Sequence, residues 1–215
     1  MTTPTVDRAL SRWIPYQWVG WAPHRWSFGV SIGPLRIEMG VEREGVTTLP
    51  GRPVFVVGCP RSGTSLAAAM IASHPRMVGL PETHFFRHLT VEIADDIECD
   101  PQWPDRAVRY CMGLTNAGEL VMPAILLDSA RLAGRLATAP HSIESVFRAL
   151  VPEYGARMGL RSVEQTPWHV LSLGMIRRSI VDALVVHVVR DPRDVALSLR
   201  KTEWGKALSI DACYR

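Results

Sequence analysis

The stretch PVFVVGCPRSGTS, Pro53 to Ser65, decides the fold. It runs from an apolar segment through a tight Gly/Pro turn into small hydroxyl residues that open the alanine-rich SLAAAMIASH. This is the strand–loop–helix order of a phosphate-binding loop. The spacing Gly58-x-x-x-x-Gly63 fits a Walker A motif, but Thr64 stands where that motif needs lysine. The amides of Gly63, Thr64 and Ser65, the helix dipole and the hydroxyls converge on one spot and suit an anion. Arg61 adds a fork of donors matched to phosphate or sulfate oxygens. The loop reads as built for an anion that needs no metal.

A second stretch completes the reading. LVVHVVR, Leu184 to Arg190, is a β-rich run, and PRDVALSLRK opens a helix with proline at its first position. Arg190 falls at the strand's carboxyl end, and Ser198 lies eight residues on, two turns into the helix. The acid beside it, Asp191, is a poor magnesium ligand next to an arginine. In one parallel sheet both loops open on the same edge. A ligand there meets two separate anion sites, which fits a nucleotide with phosphates at opposite ends of its ribose.

The rest of the chain supports an α/β fold. MVGL reads as a short strand, followed by the turn-like PETHFF. Residues from about 88 to 160 look mostly helical, broken by prolines, and Ile143, Val146, Phe147 and Leu150 share one helical face. TPWHVLSLGMIRRSI reads as another helix. The expected fold is P-loop-like, in three layers, with a central, mostly parallel sheet flanked by helices. Residues 1–50 differ: they hold four of the seven tryptophans (Trp13, Trp18, Trp21, Trp26), and FGVSIGPLRIEMG suggests a small hairpin. They are expected to form a Trp-rich flap or hairpin beside an α/β domain over 51–215.

Composition narrows the class. With 47% hydrophobic and 21% charged residues and a mean hydropathy of +0.06, the chain is ordinary for a globular domain. A net charge of +3 without basic blocks argues against nucleic acid. No apolar run approaches a membrane span, and the N-terminus has no apolar signal core. Cys59, Cys99, Cys111 and Cys213 show no C-x-x-C spacing and read as reduced thiols, with no metal site and a cytoplasmic location expected.

PRSGTS followed by VVRDPRDVALSLR resembles the sulfotransferases that use 3′-phosphoadenosine 5′-phosphosulfate (PAPS). The resemblance implies that Arg61, Ser62, Gly63, Thr64 and Ser65 hold the 5′ end of this co-substrate, and Arg190 and Ser198 its 3′-phosphate. RSGTSLAAAMIASHPRMVGLPETHFF is similar to the carbohydrate and tyrosylprotein branch, and in the tyrosylprotein enzymes its glutamate is the general base. That glutamate matches Glu82, twenty-one residues beyond Arg61. The implied reaction moves a sulfuryl group to a hydroxyl or amine by in-line displacement, with Glu82 and Arg61 as catalytic residues. The acceptor class is a small molecule, lipid or sugar, and a homodimer is allowed.

His84 and His88, two and six residues on, are the rivals to Glu82 for the base but read first as structural. Where the family usually has lysine before Thr-Pro, this chain has Gln165, which donates a hydrogen bond without charge. Family members usually continue well past the second anion helix, whereas this sequence stops at ACYR, so a C-terminally truncated chain is expected. The alternatives are a non-catalytic nucleotide-binding or partner-binding homologue and, disfavoured by Thr64, a P-loop kinase.

Overall fold

The computed structural model describes residues 51–152, 155, 159–203 and 205–207, together with the backbone of three N-terminal strands. Those strands are β1 (Tyr16–Ala22), β2 (Arg25–Ile32) and β3 (Leu35–Glu42). The α/β part follows with β4 (Val54–Gly58), α1 (Thr64–Ala72), β5 (Met77–Gly79), α2 (Val91–Glu98) and α3 (Asp105–Met112). A two-residue hairpin pair, β6 (Thr115–Asn116) and β7 (Glu119–Leu120), leads to α4 (Met122–Ile125), α5 (Ser129–Leu136) and α6 (Ile143–Ala149). The chain then forms β8 (Arg161–Glu164), a 3-10 turn at Pro167–Ser172, α7 (Leu173–Ser179), β9 (Leu184–Arg190) and α8 (Pro192–Leu199).

The seven long strands form one sheet in the order β1-β2-β3-β9-β4-β8-β5. Its centre is parallel: β4 pairs with both β9 and β8, and β8 with β5. The N-terminal strands pair antiparallel, β2 with β3 from Arg25↔Glu42 to Ile32↔Leu35, and β3 with β9 from Leu35↔Arg190 to Glu38↔His187. The packing of the N-terminal tryptophans lies outside the described residues, as does Cys213.

β4 is the structural axis because both its faces are covered. All five of its residues are buried. Val54 and Val56 pack with Ala67 and Ala68 of α1 and with Val163, Val186 and Val188 on one face. Phe55 and Val57 join the larger core on the other, with Phe85, Phe86 and Phe147. The ring of Phe55 lies 5.0 Å from Phe147 and 5.7 Å from Phe86. Strands buried on both faces read as continuous apolar runs, which is why VFVVG was legible. The expected face of Ile143, Val146, Phe147 and Leu150 is fully buried.

Two elements depart from the sequence reading. β8 is an unforeseen strand: RSVE is four residues long, charged at both ends, and fills the gap between β4 and β5. Ser162, Val163 and Glu164 are nevertheless buried, because parallel neighbours flank the strand on both sides. The helix expected over TPWHVLSLGMIRRSI is two pieces, the 3-10 turn and α7. Thr166 stands at the N-cap of the first piece, yet its hydroxyl caps no helix amide. It is engaged elsewhere, as described next.

Candidate functional site

The carboxyl ends of β4, β8 and β9 open on a cleft of about 710 Å³. Arg61, Gly63, Thr64, Ser65, Glu82, Arg190 and Ser198 all line it, although they come from segments up to 137 residues apart. Ser62 is 1% exposed and is not among the lining residues. His84 lines the cleft, while His88 is exposed outside it.

The first loop is shaped by two glycines. Gly58 has φ 156°, and a Cβ there would lie 2.4 Å from the Val188 carbonyl oxygen on β9. No side chain fits that approach, so β4 and β9 can come together at the mouth only with glycine at this position. Gly63 takes the left-handed conformation (φ 96°) at the N-cap of α1. Arg61 also has positive φ, 71°. The first intrahelical bond is Ala67 N–H onto the Gly63 carbonyl at 3.0 Å. The amides of Thr64, Ser65 and Leu66 therefore have no partner within the helix and face the cleft end.

The second loop meets the first there. Arg61 Nε donates to Ser198 Oγ at 3.3 Å, and Arg190 Nη1 donates to the Arg61 carbonyl at 3.2 Å. Arg190 Nε is buried and has no hydrogen-bond partner. A buried guanidinium N–H left unmatched is costly, and an anion in the cleft is the natural match. Asp191 is turned away from this task. It caps α8 through the Arg193 amide at 2.9 Å and carries Arg193 on its carboxylate. The side-chain and backbone hydrogen bonds from Arg193 hold its carboxyl at about 2.

Across the cleft sits a different kind of polar group. Glu82 has a side chain 31% exposed, and its Oε1 accepts from Gln165 Nε2 at 3.0 Å. The same Gln165 amide lies 3.4 Å from Thr64 Oγ1. Gln165 thus joins the anion loop to Glu82, in the place where a lysine is usual among the proteins the sequence resembles. Glu82 makes no ion pair with Arg87. The Arg87 guanidinium lies 5.4 Å over the Trp168 ring instead.

Behind Glu82 lies a buried node that sequence reasoning missed. Glu164, the last residue of β8, is completely buried. Its Oε1 accepts from the Thr83 amide (3.1 Å), the Thr83 hydroxyl (2.8 Å) and the Thr166 hydroxyl (2.5 Å). Its Oε2 accepts from the Thr166 amide (3.2 Å) and lies 2.9 Å from His169 Nδ1. The Phe86 amide donates to His169 Nε2 at 3.1 Å, so the ring proton sits on Nδ1 and faces Glu164. The His84 amide donates to Thr166 Oγ1 at 3.1 Å.

The Glu82–Phe86 loop is therefore pinned to the end of β8 from both sides. Burial alone pushes the Glu164 carboxyl up, but the His169 imidazole and the hydrogen bonds from His169, Thr166 and Thr83 outweigh it. The group is held below the ordinary carboxylate range. The Glu164, Thr166 and His169 part of the node falls within six consecutive residues. Thr83 is 81 residues away from Glu164 and invisible to any local pattern.

Among the described residues no group of histidine, cysteine and carboxylate side chains is disposed to hold a metal, and no helix is long and apolar enough to cross a membrane. No curated protein and no solved structure matches the chain significantly. The family model described as the sulfotransferase family matches residues 53–211, from the start of β4 to beyond α8, and so covers the whole cleft. The match spans well over half of the chain, and the chain belongs to the sulfotransferase family.

Proposed function

We propose that the protein transfers a sulfuryl group from PAPS to an acceptor hydroxyl or amine, with Glu82 as general base. One observation carries the reading: the loops at Arg61 and Arg190, distant in sequence, are hydrogen-bonded to each other at one cleft, with Arg190 Nε buried and unmatched. The residues fit a ligand with two anionic ends. Gly63, Thr64 and Ser65 with Arg61 would hold the 5′ end, and Arg190 with Ser198 the 3′-phosphate.

The donor supplies the sulfuryl group, and its 3′,5′-bisphosphate nucleotide is the leaving group. The acceptor oxygen or nitrogen forms a bond to sulfur while the bond between sulfur and the phosphate oxygen breaks, and the acceptor's proton passes to Glu82. Arg61 and the free amides of α1 neutralise charge on the oxygens at the 5′ end. Gln165 holds Glu82 against the anion loop and donates from an uncharged amide. Trp168 and Arg87 line the same cleft as Glu82 and would face the acceptor, a small molecule, lipid or sugar. Gln165 in place of a lysine favours a second reading, a bisphosphate-binding protein with little transfer.

Thermal unfolding with 3′,5′-adenosine bisphosphate, against ATP plus magnesium, tests the nucleotide site. A ligand at about 100 times its dissociation constant adds about 2.7 kcal/mol, a rise of several degrees for a domain of this size. The expected result is a rise with the bisphosphate alone that Arg190→Ala removes. A rise only with ATP and magnesium, or none with either, overturns the reading. Release of labelled sulfate from PAPS then separates transfer from binding.

A further inference from the structure

Among the described titratable residues that line the cleft, His84 is the one that this chemistry leaves unused. Its side chain is 4% exposed, and its backbone takes φ 52°, a region few residues other than glycine visit. The conformation is imposed from behind, where its amide is tied to Thr166 and through it to the buried Glu164. The imidazole is thereby aimed into the cleft.

The two ring nitrogens face different groups. Nδ1 lies 3.5 Å from Arg87 Nη1. A guanidinium only donates, so Nδ1 must be the acceptor, and the ring proton belongs on Nε2. Nε2 is buried and has no hydrogen-bond partner. The carboxylate facing it is Glu82, whose Oε2 is 3.6 Å away. The other oxygen of Glu82 already accepts from Gln165. A donor buried beside an unclaimed carboxylate oxygen, a few tenths of an ångström beyond bonding distance, is poised to close when the site fills.

We propose that His84 is a positioning residue for Glu82: its Nε2–H closes onto Oε2 and, with Gln165 on Oε1, fixes the plane of the carboxylate. Each oxygen keeps a second lone pair, and one of these is thereby aimed at the acceptor. The inference rests on the reading of Glu82 as the base. In the step itself the acceptor oxygen bonds to sulfur, the bond from sulfur to the nucleotide phosphate breaks, and the acceptor proton ends on Glu82. His84 keeps its own proton throughout.

Two measurements test this. The first needs no activity: imidazole 15N spectra of the whole chain at pH 8 should show His84 with its proton on Nε2, and Glu82→Gln should displace that resonance. A proton on Nδ1, or a resonance indifferent to Glu82→Gln, overturns the proposal. The second follows release of labelled sulfate from PAPS with water as acceptor. His84→Leu should slow release about 100-fold, the scale of a misplaced catalytic group, with the KM for PAPS unchanged. His84→Gln, which restores an N–H at similar reach, should recover to within about fivefold of wild type. Equal loss in both variants with normal thermal unfolding, or no loss in His84→Leu, also overturns it. Full release by Glu82→Gln breaks the general-base reading instead, an outcome distinct from any of these.

Discussion

The two sides of the cleft solve opposite problems. On the anion side Arg61 and Arg190 reach across exposed loops with single bonds of 3.3 and 3.2 Å, and a buried Nε is left unmatched. On the side of Glu82 the supporting carboxylate, Glu164, is fully buried and faces five donors within 3.2 Å. The proposed anion site thus keeps its donors unsaturated, and each bond the protein makes internally there is one a ligand would replace. The loop that carries the proposed base rests on saturated supports, since a buried network with a missing member is worse than none.

Substitutions on the two sides of the cleft should have separable effects. Glu82→Gln should lower sulfuryl transfer by about 100- to 10,000-fold, while bisphosphate still raises the unfolding temperature. Loss of both together would mean that the two sides are one unit. Glu164→Ala should cost about 3–5 kcal/mol, as for any buried charge pair stripped of one partner. It is read by denaturant unfolding and has no counterpart among the exposed arginines.

The same network makes a pH prediction. The carboxyl of Glu164 lies lower in the folded chain than its ordinary 4.5. Its contribution is therefore present above that value and lost as pH falls below it through the folded pKa. Unfolding free energy measured between pH 6 and pH 3 should fall more steeply for wild type than for Glu164→Gln. Parallel curves would show that the node does not stabilise through its charge.

On the anion side Ser198→Ala should weaken bisphosphate binding about tenfold, the scale of one hydrogen bond to a charged group, with stability unchanged. Gln165→Lys, which returns a cation to the junction of the two sides, should raise transfer about tenfold. A fall would show that the amide bond to Glu82 matters more than charge at this point.

Each loop of the anion side was legible because its chemistry is local. The strand VFVVG, the turn glycines and the helix that follows are consecutive, and so are Arg190, Asp191, Pro192 and Ser198. Chain direction in a parallel sheet then brings the two loops to one edge. β8 escaped notice because its burial comes from strand neighbours rather than from its own composition. The setting of His84 was hidden for a related reason, since nothing in PETHFF shows that the backbone turns left-handed there and brings the residue to the cleft wall.

From the sequence alone came the α/β class, the order of its main elements, the family resemblance and the two loops that carry Arg61 and Arg190. Those follow from hydrophobic period, turn chemistry and residue type, which act over a few residues. Only the tertiary structure decided that Glu164 anchors Thr83 and Thr166, that Gln165 bridges Thr64 and Glu82, and that His84 faces Glu82 with an unmatched nitrogen. Those contacts join residues as far as 101 positions apart. A buried polar group takes whatever partner the packed chain delivers to it, and that delivery is a property of the whole fold.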